Sequence, residues 1–136
     1  MIMPLGIFDI SGRAMSAQLL RLNSSASNLA NAGSISGNEQ TAFRPLKPVF
    51  ETIYDASAPG NATVGVRRVV QTDAAPQRIH QPGHPLADEN GYVYQASVDT
   101  NAELVEIVET SRQYRNNIEV LETAKSLTLE TLRLGQ

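Results

Sequence analysis

The chain has 136 residues, enough for one ordinary domain, with 11 basic and 14 acidic side chains and a formal net charge of −3. That balance argues against non-specific nucleic-acid binding, which needs a basic surface. There is no cysteine, so a disulfide framework and thiolate chemistry are both excluded, and no apolar run approaches the ~20 residues of a membrane-spanning helix.

The first nine residues, Met1-Ile2-Met3-Pro4-Leu5-Gly6-Ile7-Phe8-Asp9, are apolar but lack a basic n-region, and Asp9 interrupts them early. They are not read as a secretory signal. Residues 7–31 carry a helical pattern. Phe8, Gly12, Met15, Leu19, Leu22, Ala26 and Leu29 recur at alternating four and three, the spacing of a coiled-coil seam. Propensity is poor, because Asn23, Ser24, Ser25, Ser27, Asn28 and Asn31 compete for the backbone. Such a helix needs packing to hold it. Two readings stand: a packed helix with a polar outer face, or one that orders only on docking.

Residues 32–48 read as a loop or extended arm rich in Gly, Ser, Asn and Pro, and Pro45 and Pro48 exclude helix there. Strand patterns follow at Val49–Tyr54, Val64–Gln71, Gln77–Gln81 and Gly91–Gln95. The loop Asp55–Thr63 separates the first two, and Asn90-Gly91 is a strong turn dipeptide before the last. These predict one small antiparallel sheet of about four strands, projecting from the point where the two terminal helices part.

Thr100–Leu134 is an uninterrupted helical pattern, about 50 Å long at 1.5 Å per residue. Leu104, Ile107, Tyr114, Ile118 and Leu121 form its seam, with Ser111 in the one gap. Val120, Ala124, Leu127, Thr131 and Leu134 continue on a neighbouring stripe. Thr100 and Glu103 stand at capping-box spacing beside Asp99, and Gly135 marks the stop. Glu109–Arg112, Glu122–Lys125 and Glu130–Arg133 are i,i+3 pairs, and the helix carboxylates are read as a solvated face. The expected fold is α+β: long N- and C-terminal helices paired in a coiled-coil-like arrangement, with a small antiparallel β insert. Its parts are the N-terminal helix (1–33), the arm and β domain (34–98) and the C-terminal helix (99–136).

A search for chemistry finds little. His80 and His84 are four apart, with Asp88 and Glu89 beyond, but Pro82, Gly83 and Pro85 exclude the helix on which that spacing would gather ligands. No nucleophile elbow or phosphate loop is present. Catalytic, cofactor-binding and metal-ligating residues are therefore expected to be absent. Tyr114 is assigned to a core or interface, and Tyr54, Tyr92 and Tyr94 to strands.

Specific runs then carry a resemblance. Ala17–Ala32, and Ser27-Asn28-Leu29-Ala30-Asn31-Ala32 above all, is similar to the N-terminal motif of the bacterial flagellar rod and hook axial proteins. Ser97-Val98-Asp99, Glu103–Ile107, Ser111-Arg112-Gln113-Tyr114, Asn117 and Ala124-Lys125-Ser126-Leu127 resemble the C-terminal motif of the same family. Pro82–Asp88 and Gly91-Tyr92-Val93 resemble the middle segment of a short proximal-rod member. Arg44-Pro45-Leu46-Lys47 and Tyr94-Gln95-Ala96 depart from the pattern.

The resemblance implies a structural subunit of the periplasmic basal-body rod, not an enzyme. Its terminal helices would pack against other copies and other rod proteins around an export channel, forming a tube that transmits torque. It implies export through the flagellar type III apparatus without a cleaved signal, no nucleic acid and no membrane insertion. The expected assembly interface comprises Phe8, Met15, Leu19, Leu22, Ala26, Asn28, Leu29 and Asn31 with Leu104, Ile107, Tyr114, Ile118, Leu121 and Leu127. The competing class is a soluble helical-hairpin adaptor, whose sign would be a seam completed within one chain.

Overall fold

A computed structural model describes residues 4–54, 56–57 and 60–136. The N-terminal reading of Met1–Met3, and residues 55, 58 and 59 of the expected 55–63 loop, lie outside the described residues. The order is α1 (Pro4–Ala30), β1 (Ile35–Ser36), β2 (Leu46–Tyr54), β3 (Ala62–Gln71), β4 (Gln77–His80), β5 (Tyr92–Gln95) and α2 (Thr100–Leu134). The fold is α+β, with two long helices paired and antiparallel β structure between them.

α2 runs over the residues its pattern predicts. Its cap differs by one position: Asp99, in extended conformation, accepts from Ala102 N at 3.1 Å, so Asp99 and not Thr100 is the N-cap. An aspartate side chain satisfies the orphan N–H at that spacing as a threonine would, and its charge also suits the helix dipole. Gly135 N–H closes the far end on Thr131 O at 3.1 Å. Of the three i,i+3 pairs, only Glu109–Arg112 comes together, at 3.8 Å.

The four expected strands form, but not as one sheet. β2 and β3 make an isolated antiparallel hairpin, and β5 sits between β1 and β4 in a second sheet. The sequence supplies no sign of β1, whose two residues are too short for an alternation to show. Nor does the insert only project. The β2–β3 hairpin folds back along α1, starting at Leu46 beside Asn28 and reaching Asn61 beside Gly6. Pro48 fits within β2 because a two-stranded sheet leaves that strand one open edge.

In the second sheet, the β4–β5 connection is held by its own backbone bonds, including Gln81 N to Gly91 O and Asp88 N to Tyr92 O. Gly91 has φ of 81°, and a Cβ there would lie 2.9 Å from Pro82 Cβ, so only glycine fits.

α1 is the central element, with α2 on one side and the hairpin on another. One residue ties all three. Asn28, 1% exposed, donates to Leu46 O at 2.9 Å and to Glu103 Oε1 at 3.0 Å, and accepts from Leu46 N at 2.7 Å. Asn28→Ala should destabilise by about 1–3 kcal/mol, the cost of orphaned buried backbone groups. Asn28→Asp should cost at least as much. It loses the donor and sets a second carboxylate beside Glu103. Denaturant unfolding of the purified chain measures both.

Candidate assembly interface

The two helices run antiparallel and meet on polar and small side chains. Asn28 reaches Glu103, Arg21 pairs with Glu106, and Gln18 Nε2 donates to Gln113 Oε1 at 2.8 Å. Arg21 also donates to Gln113 Oε1 at 3.2 Å, and Gln113 Nε2 donates back to Glu109 at 3.2 Å. Ser25 and Thr110 are buried in the same stripes. On α1 the contact stripe is Gln18, Arg21, Ser25 and Asn28. On α2 it is Glu103, Glu106, Thr110 and Gln113, with Asn117 next at the same helical spacing. Towards the N-terminal end of α1 the pairing turns apolar, where Ile7 lines a shallow groove with Val120, Ala124 and Leu127.

The apolar seams occupy other stripes. Each lies one residue later than its contact stripe: Leu19, Leu22, Ala26 and Leu29 follow 18, 21, 25 and 28, while Leu104, Ile107, Ser111, Tyr114 and Ile118 follow 103, 106, 110, 113 and 117. One residue is about 100° around a helix. In an antiparallel pair, the same displacement in the same sequence sense carries both stripes to the same side. The two seams therefore form one continuous apolar face.

The hairpin lies on the opposite side. It packs on α1, where Ala17 and Leu20, one earlier than the contact stripe, share a cleft with Val64–Val66, and Ser24 shares one with Pro48 and Phe50.

Within the chain this apolar face is left open. Leu19 is 43% and Leu104 49% exposed, Ala26 is exposed, and Met15, Leu22, Leu29, Ile107, Tyr114, Ile118 and Leu121 are half-buried. The remaining expected interface residues lie elsewhere. Phe8, at one end of the seam, lines a cleft shared with Val64–Val66 of β3. Leu127 sits in the Ile7 groove and is 60% exposed. Asn28 is internal, and Asn31 Nδ2 donates to Ser27 O at 2.8 Å, closing the end of α1. Sequence reading missed Gln18, Arg21, Glu103, Glu106 and Gln113. It assigned the α2 carboxylates to solvent, whereas Glu103 and Glu106 are half-buried and bonded to α1. A polar stripe at seam spacing on both helices, in antiparallel register, was the available signal.

The histidines serve the turn. His84 Nδ1 accepts from Leu86 N at 3.0 Å, and His80 packs edge-on to Tyr92 with ring centroids 4.8 Å apart. Asp88 Oδ1 accepts from Asn90 N and Tyr92 N. These side chains fold the β4–β5 connection and do not converge on a common point.

The family described as flagellar basal body rod FlgEFG protein C-terminal matches residues 89–134. Over 134 residues, 97% of this chain and 98% of each relative, the chain is 49% identical to the flagellar basal-body rod protein FlgC of Salmonella typhimurium and 50% identical to that of Yersinia enterocolitica. The FlgC of Buchnera aphidicola from Schizaphis graminum is 37% identical over 135 residues.

Leu19→Asp and Leu104→Asp, on the open face, should each change the stability of the isolated chain by no more than about 1 kcal/mol. Ala17→Leu, at a buried position on α1, should cost about 1–3 kcal/mol by overpacking. Thermal or denaturant unfolding of the soluble chain separates the two classes.

Proposed function

The chain belongs to the FlgC family of flagellar basal-body rod proteins, and from that premise we propose how it builds the rod. It is a structural subunit of the basal body. The apolar face shared by α1 and α2 is its assembly surface. Met15, Leu19, Leu22, Ala26 and Leu29 supply one half, and Leu104, Ile107, Tyr114, Ile118 and Leu121 the other. Phe8, beside β3, and Leu127, in the Ile7 groove, lie off this face, and Asn28 and Asn31 hold its shape from within. The N-terminal segment (1–33) and C-terminal segment (99–136) act together as the assembly unit, and the segment 34–98 makes outer contacts.

The observation that carries this reading is the position of the seams. A helix pair closed on itself would bury its leucines in the pair. Here they lie beside the contact, on one face, still half open. Fully burying an aliphatic side chain is worth about 1.5–3 kcal/mol. A row of half-buried ones leaves several kcal/mol to be gained from a neighbour. The same fact weighs against a self-contained adaptor, whose seam would be completed within the chain.

Contacts between unlike faces whose rotation does not close into a ring propagate a helical tube. We assign as partners other copies of this chain and other rod proteins, and the flagellar type III apparatus as the exporter, without a cleaved signal. A tube of this kind transmits torque and encloses the export channel. The role is structural, with no catalysis assigned.

Leu22→Asp or Leu121→Asp should abolish incorporation, because each drives a charge into the face. In a strain carrying either substitution as its sole copy, the subunit should be synthesised at normal level but be missing from purified basal bodies, and the cells should not swim. A motile strain would overturn the assignment.

A further inference from the structure

We propose that the polar stripe between α1 and α2, centred on Arg21 and Glu106, sets the register and facing of the helix pair, and that subunit assembly depends on it more than subunit stability does. This rests on the assembly face described above. The stripe is polar where an ordinary helix pair is apolar. Arg21 bridges Glu106 and Gln113, Gln18 meets Gln113, and Asn28 meets Glu103.

Apolar seams specify register weakly, since one leucine row fits another after a slip of seven residues. The polar stripe does not tolerate that slip. Moving α2 by one heptad in one sense would set Asn28 against Ala96, and in the other would set Arg21 against Gln113, Gln18 against Val120 and Asn28 against Thr110. Glu103 and Glu106 would then lose their partners, and the guanidinium would lose its carboxylate. A single polar pair at a seam position fixes register in coiled coils by the same penalty.

The stripe also fixes rotation. Turning each helix by about 100° would bring the two seams together. The monomer would then be closed, and the face that meets neighbours would be gone. The polar contacts exist only in the unrotated arrangement, and Asn28 reinforces it from the hairpin side through Leu46. The stripe thus favours an open subunit over a better-buried one. Such specificity by disfavouring the alternative is a general device of selective interfaces.

Two double variants test this, read as the amount of subunit in purified basal bodies and as the Tm of the soluble chain. Arg21→Glu alone should reduce incorporation at least tenfold, and Arg21→Glu with Glu106→Arg should restore it to within about twofold of the parent. Arg21→Leu with Glu106→Leu should leave Tm equal or raised, because a packed apolar pair commonly replaces a partly buried ion pair without loss. Its incorporation should still fall at least tenfold. Failure of the reversed pair to restore incorporation overturns the proposal, and so does normal incorporation of the leucine pair. If Leu22→Asp still assembles, the assembly face itself is wrong. If it fails to assemble while the leucine pair succeeds, only the register role falls.

Discussion

Gln18, Arg21 and Asn28 turn the polar side of α1 toward α2, and that orientation decides where every apolar residue of the pair goes. Helical geometry does the rest. Stripes one residue apart are about 100° apart, so polar contact on one stripe places leucines on the next. Because the helices are antiparallel, both leucine stripes reach the same side. The hairpin takes the other side of α1, where Ala17 and Ser24 are small enough to admit it closely. The subunit is a layered object: β hairpin, helix pair, open apolar face.

Magnitudes fit this division of labour. A net hydrogen bond contributes about 0.5–1.5 kcal/mol, and solvent screens a half-exposed pair such as Arg21–Glu106 further. Such contacts are enough to choose an arrangement. They are small beside the apolar burial still available on the open face. On the proposed assembly, the larger apolar burial is made with neighbours and not within the subunit. Asn28 is the exception inside the chain. Three hydrogen bonds from one side chain join helix to helix and helix to hairpin.

Much of this was written locally. The span of α2 follows from an unbroken helical period between Asp99 and Gly135. The four longer strands follow from alternation bounded by Pro and Gly, and the seams from their four-and-three spacing. The resemblance named the family because its motifs lie in the terminal helices and in the Pro82–Asp88 turn. What local reading could not supply was which strands pair and which side chains meet between the helices. The division into two sheets depends on β5 choosing β1 and β4, and β1 is only two residues long. The cap fell to Asp99 because two adjacent residues could each fill it. The contact stripe was hidden for a physical reason. Glu103, Glu106 and Arg21 look like a solvated face until the partner helix brings opposite groups to them. Seam residues were legible as apolar, but not the neighbour they would meet.

The absence of native cysteine allows a direct measurement of the central claim. Ala26 is small, exposed and on the α1 seam between Leu22 and Leu29. Ala26→Cys should react readily with a maleimide in the free subunit. In basal bodies assembled from the same variant, it should be protected at least tenfold. Equal labelling in the two states would mean that this face stays uncovered in the rod, and that subunits meet through some other surface.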